Sequence, residues 1–143
     1  MTANDSQDVL TAVKRFYAAI EDVVSGRGLT AMDAAWHHTP RVTSKHPSGE
    51  WSKGWEEVWE TWKVFANFGR QDRGGSRLVS IDTWVYGDVA YTTGIFQASP
   101  AWGAEKIPCT NVLTRVDGQW KVIHHHADPS PGMARALEKM LEE

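Results

Sequence analysis

The chain has 143 residues, 15 basic and 18 acidic, with a net charge of −3 and a single cysteine. That length suits one domain, residues 1–143, with a core that needs neither disulfides nor structural metal. The balanced charge, without any basic run, argues against a nucleic-acid footprint. Cys109 can form no internal disulfide, no apolar run approaches membrane-spanning length, and charges at Asp5, Asp8, Lys14, Arg15, Glu21 and Asp22 interrupt any signal-like core, so a cytoplasmic protein with neither nucleic-acid nor membrane partners is expected.

In chain order, Ser6 is a plausible N-cap, and Leu10, Val13, Tyr17, Ile20 and Val24 recur at three and four, the signature of one apolar helix face from Gln7 to about Val24, widened by Phe16. Ser25-Gly26-Arg27-Gly28 stops it. Thr30 caps a short second helix, Ala31–Trp36. Arg41–His46 reads as a short strand, and Pro47-Ser48-Gly49 as a turn. Trp55, Val58, Trp59, Trp62 and Phe65 make the apolar stripe of a third helix from Ser52 to about Phe68. Arg70–Gly75 reads as a polar loop.

Beyond that loop the period changes from about 3.6 to 2. Arg77–Tyr86 and Val89–Ala98 form a hairpin about Gly87-Asp88. Ser99–Gly103 is a loop able to cover a cavity mouth. Lys106–Val116 is a strand in which Pro108 predicts an edge, bulge or bend. Asp117-Gly118 turns into Trp120–Asp128, WKVIHHHAD. Strict alternation there puts Trp120, Val122, His124 and His126 on one face and Lys121, Ile123 and His125 on the other. Met133–Leu141 suits a terminal helix. Helices first and antiparallel strands after indicate α+β. A strongly bent antiparallel sheet wrapped around the N-terminal helices makes a cone with one buried pocket, the usual form of a small-molecule site.

Three stretches carry a family resemblance: VKRFYAAIEDVVSG with the short helix after it, VTSKHPSGEWSKGWEEV, and NVLTRVDGQWKVIHHHAD. Together they resemble the NTF2-like superfamily, in its SnoaL-like and ketosteroid-isomerase-like branch, over about residues 6–128. The last stretch is also similar to the association domain of calmodulin-dependent kinases. The resemblance implies a cone-shaped fold, a homodimer, and either isomerase, cyclase or dehydratase chemistry or a non-catalytic binding or assembly role. The isomerase positions are not retained: where that family has a general-base Asp, an oxyanion-binding Tyr and a protonated Asp, this chain has His46, Phe16 (with Tyr17 beside it) and Asn111.

The expected site therefore rests on other groups. His46, His124 and Asn111 are the catalytic candidates: neutral imidazoles accept protons near pH 7, and an amide can polarise a developing oxyanion. Asp128, Asp82 or Glu50 could orient an imidazole. His126, Tyr17, Phe16, Trp36, Trp62 and Tyr91 are candidate walls for a hydrophobic, oxygenated ligand. No cofactor is required by this reading. One alternative gathers His46, His124 and His126 around a divalent transition metal; another is a domain that only binds a ligand or assembles with itself.

Overall fold

The computed structural model describes residues 3–69 and 75–143. The expected loop Arg70–Gly75 lies, apart from Gly75, outside the described residues. Helix α1 spans Ala3–Val24 and α2 spans Thr30–Ala35. Strands β1 (Thr43–Lys45) and β2 (Trp51–Lys53) precede helix α3 (Trp55–Asn67). Strands β3 (Arg77–Tyr86), β4 (Val89–Gln97), β5 (Lys106–Val116) and β6 (Gln119–Ala127) follow, with a single 3-10 turn at Pro100–Trp102. Helix α4 (Pro131–Glu142) closes the chain.

Several boundaries differ from expectation: α2 runs Thr30–Ala35 with Leu29, not Thr30, at its N-cap, and of the expected strand Arg41–His46 only Thr43–Lys45 is paired. Ser6 lies inside α1 rather than capping it, because the helix starts at Ala3. Ser52 belongs to β2, a short strand that the turn-to-helix reading missed; Gly54, at φ +83°, separates it from α3. Helix α4 begins two residues early, since Pro131 takes the first turn and the Ser130 hydroxyl accepts from Met133 N at 3.1 Å.

The strands form one mixed sheet in the order β2-β1-β6-β5-β4-β3. All neighbours are antiparallel except β1 and β6, which run parallel with Ser44 opposite His125. The sheet is curved and unclosed. On its inner side lies the apolar face of α1, with Val9, Val13, Phe16, Tyr17, Ile20 and Val23 all buried. Each such aliphatic or aromatic side chain contributes about 1.5–3 kcal/mol by leaving water. Val58, Trp62 and Phe65 of α3 join the same core, as their helical spacing predicts. Among the described residues no helix is long and apolar enough to cross a membrane.

Candidate functional site: two imidazoles in one cavity

Strand β5 sends Ile107, Cys109, Asn111 and Leu113 inward with regular alternation. Strand β6 starts in phase, with Trp120 and Val122 inward, and then slips. Leu113 pairs with Val122 but Val112 pairs with His124, so Ile123 is an extra residue on β6. This β-bulge reverses every side chain beyond it. His125 and Ala127 therefore face inward, and Asn111 stands opposite His125. His124 and His126 turn to the other face: His124 Nδ1 lies 2.6 Å from Thr43 Oγ1, and the His126 ring packs edge-on against Trp51. Of the three consecutive histidines, whose inward member depends on a one-residue shift, the bulge selects His125 rather than His124 and His126.

His46 reaches the same interior from β1. Val42, Ser44 and His46 alternate inward, and the turn clamps His46 from both sides, with His46 N donating to Glu50 O and Gly49 N to His46 O. A cavity of ≈ 30 Å³ lies between His46 and His125, walled by Tyr17, Trp62, Phe65 and Met133 among others. That is room for roughly one water molecule; no polycyclic ligand fits beneath the docked α4.

Donor accounting fixes both tautomers. Thr61 Oγ1 donates its proton to Val58 O at 2.6 Å, so at 2.7 Å from His46 Nε2 it can only accept. His46 thus carries its proton on Nε2 and a lone pair on Nδ1. Asn111 Nδ2 donates to Tyr17 OH at 2.8 Å and to Thr92 Oγ1 at 3.1 Å, which leaves Oδ1 to accept from His125 Nδ1 at 2.6 Å. His125 Nε2 keeps its lone pair. No further hydrogen bond to either imidazole lone pair is formed among the described residues. Trp62 Nε1 and Ser44 Oγ are buried without a hydrogen-bond partner. The site thus holds two imidazole acceptors in apolar surroundings, with the Trp62 indole against both rings.

Burial sets the charges. It pushes the His46 pKa down to about 3, helped by neighbouring Lys45. Burial also holds His125 well below the ordinary value, reinforced by His46, His124 and His126. Both rings are neutral at pH 7. Burial raises the Tyr17 phenol and lifts the Cys109 thiol to about 12, so both stay protonated. Cys109 is a small buried hydrophobe whose Sγ donates weakly to Ile107 O.

The other expected residues divide. Tyr17 and Trp62 line the cavity. Phe16 and Trp36 are buried but set back: Phe16 supports the His125 ring edge-on at 5.1 Å, and Trp36 donates to Met32 Sδ. Tyr91 is on the outer face, because β4 points Ala90, Thr92 and Phe96 inward. Asn111 does not present its amide hydrogens to the cavity; Tyr17 and Thr92 hold them. Glu50, Asp82 and Asp128 are exposed and orient neither interior imidazole; Thr61 and Asn111 do that. His46, His124 and His126 do not converge, and among the described residues no three His, Cys, Asp or Glu side chains are gathered as a metal site would need. Thr61 and Met133 carry no signal in the sequence as site residues; His125 belongs to a triplet whose inward member the sequence leaves open, because a one-residue bulge reverses it.

With this geometry in place, comparison with known families is informative. The profile of the SnoaL-like domain matches residues 9–130. The chain belongs to the SnoaL-like domain family. Within that family setting, the chain is similar to the F-box protein SKIP8 of Arabidopsis thaliana, at 28% identity over 134 residues. The match takes in 85% of this SnoaL-like chain but 56% of that relative's length. Among solved structures, a candidate dehydratase of the NTF2-like family from Streptomyces avermitilis superposes with a TM-score of 0.69 at 24% identity, covering 89% of this chain and 96% of that one. A candidate calcium/calmodulin-dependent protein kinase type II association domain from Thiobacillus denitrificans gives a TM-score of 0.61 at 26% identity, covering 85% and 94%. Those likenesses support the NTF2-like fold; sites on a shared fold carry many chemistries.

Proposed function

We propose that this SnoaL-like domain binds a small oxygenated molecule in its cavity and moves a proton next to a carbonyl, as in isomerisation, aldol cyclisation or dehydration. The supporting observation is the pair of buried, neutral imidazoles whose tautomers leave His46 Nδ1 and His125 Nε2 as acceptors. In the proposed step a C–H bond beside the carbonyl breaks and its proton goes to His125 Nε2. The electron pair moves into the carbonyl oxygen, where Trp62 Nε1–H supplies the hydrogen bond it otherwise lacks. The proton returns at a neighbouring carbon or leaves with a hydroxyl as water. His46 holds the ligand's hydroxyl or accepts a second proton. This chemistry calls on no cofactor.

The test is exchange of α-protons of a panel of three- to six-carbon ketones in D₂O, followed by NMR. Exchange should be accelerated by the wild type and reduced about 10²- to 10⁴-fold in His125→Ala, the range of general-base catalysis. Wild-type protein that accelerates no ketone, or a His125→Ala variant with undiminished rate, would remove the catalytic reading.

A second reading, compatible with the first, is self-assembly. Trp84, Tyr86 and Tyr91 form an exposed aromatic group on the outer sheet face, with Tyr91 stacked on both neighbours. Such a patch is more apolar than ordinary surface and suits a two-fold interface. The kinase association domain among the structural relatives bears a name that points the same way. A homodimer is the expected state, and sedimentation of a Trp84→Lys, Tyr86→Lys double variant should return monomer.

A further inference from the structure

We propose that helix α4 is a movable wall of the cavity, and that Met133 sits where the apolar body of the bound ligand goes. This rests on the reading of the cavity as a ligand site. Met133 is 4% exposed and lines the cavity together with His46 and His125, and among the described residues it is the one contribution of α4 to the lining. With Met133 in place, the space left has room for little more than water, between two imidazoles that each keep a lone pair.

The way α4 is fastened suits a door better than a wall. It belongs to no sheet and docks on the Pro100–Trp102 turn, where Gly103 and Gly132 meet without side chains. Its first turn is held by Glu105, whose carboxylate accepts from Ser130 Oγ at 2.9 Å and from Gly132 N. Ser130 N donates to Pro47 O, beside His46. Leu137 and Met140 are buried along with Met133, so an apolar face holds the helix as well as these polar links, but it follows Pro129 and can leave without unpairing a strand. A terminal helix outside the sheet ladder opens at lower cost than the paired strands beneath it. Methionine is also the side chain most easily displaced by a guest, being unbranched and adaptable.

The ligand class follows: one polar end, a hydroxyl or carbonyl that can use the His46 and His125 acceptors and the Trp62 donor, on a compact apolar or aromatic body. Phenol is a suitable probe. The full chain is compared with Met133→Ala, with the volume-conserving Met133→Leu and with Glu105→Ala, each first checked for cooperative unfolding. Met133→Ala should bind phenol at least about tenfold more tightly than the wild type, with Met133→Leu close to wild type, because the plug is gone. Adding His125→Ala should abolish that gain. Glu105→Ala should speed phenol association and dissociation together by about tenfold, and speed hydrogen exchange in α4 over that of the sheet, as loss of charge-assisted bonds at the latch implies. Met133→Ala that binds phenol while Glu105→Ala leaves both rates unchanged would overturn the moving helix and spare the site. Met133→Ala that binds no phenol would overturn both the plug and the ligand-site reading beneath it.

Discussion

His46 and His125 stand with ring centroids 6.2 Å apart, and neither carries a charge at neutral pH. Two elements distant in sequence create this relationship: a turn-anchored residue after β1 and a bulge-shifted residue on β6. The Trp62 indole touches both, edge-on to His46 at 4.6 Å and tilted against His125 at 5.9 Å. The arrangement is costly for folding in acid, and that cost can be read.

Each ring has its folded pKa below its unfolded one, from 6.5 to about 3 for His46 and well below 6.5 for His125. Below pH 6.5 the unfolded chain therefore binds more protons, and stability falls as pH falls. The slope approaches about 1.4 kcal/mol per pH unit for each histidine. The loss should appear between pH 6.5 and 5, before carboxylates contribute strongly, and continue for His46 towards pH 3. Urea unfolding of His46→Gln against wild type at pH 7, 6 and 5 should show a shallower slope, with His125 and the half-buried His124 supplying what remains. An unchanged slope would mean that His46 titrates normally in the folded state.

Asn111 is read as the residue that orients His125. Replacing it with Asp puts a carboxylate oxygen 2.6 Å from Nδ1, in place of the amide oxygen that accepts its proton. An adjacent opposite charge favours the imidazolium, so the His125 pKa should rise. An NMR titration of ring-carbon shifts in Asn111→Asp measures it, with the α-proton exchange profile moving by the same amount. A ring that titrates as in wild type would show that the amide is not the partner that matters.

Much of this architecture can be read from local pattern. The 3.6-period stripe from Leu10 to Val24 and the one made by Trp55, Val58, Trp59 and Trp62 mark the helices. The Gly87-Asp88 and Asp117-Gly118 turns mark the hairpins. What could not be read is the phase of β6 beyond Val122. Ile123 carries nothing that identifies it as the inserted residue of a bulge, since the slip is set by pairing with β5 and β1 rather than by its own propensity. The parallel pairing of β1 with β6 is similarly a product of tertiary packing, between strands some eighty residues apart. Asn111 was placed correctly in the interior, but its role changes from facing a ligand to holding His125, because Tyr17 and Thr92 take its amide hydrogens.

The bulge makes a sharp prediction about three consecutive histidines. His124→Ala and His126→Ala change the outer face and should leave ketone α-proton exchange within about twofold of wild type and stability within about 0.5 kcal/mol. His125→Ala should lose the exchange and cost about 1–3 kcal/mol, since it orphans the Asn111 carbonyl and leaves a hole beside Phe16. Parallel kinetics and denaturation of the three variants check this. Equal effects at 124 and 125 would contradict the inward assignment of His125.

The opposite end of the sheet carries a constraint that is purely steric. Gly94 of β4 pairs with Ile81 and with Cys109, close to the cavity wall. A Cβ there would lie 2.3 Å from Ser80 O and 2.9 Å from Ile81 Cδ1. The first contact is with backbone, in the segment where β3 shifts register between Leu78 and Ser80, so no rotamer change relieves it. Gly94→Ala must push β3 away from β4, at a cost of about 2–3 kcal/mol by the usual measure of overpacking. Gly118→Ala is the control, because its Cβ would meet nothing within 4 Å, leaving only the strain of φ +79°. Urea midpoints should fall further for Gly94→Ala than for Gly118→Ala. Since Cys109 lies opposite on β5, hydrogen exchange at Cys109 and Thr110 should rise with it; a Gly94→Ala protein as stable as wild type would mean that the two strands are not held at the separation described here.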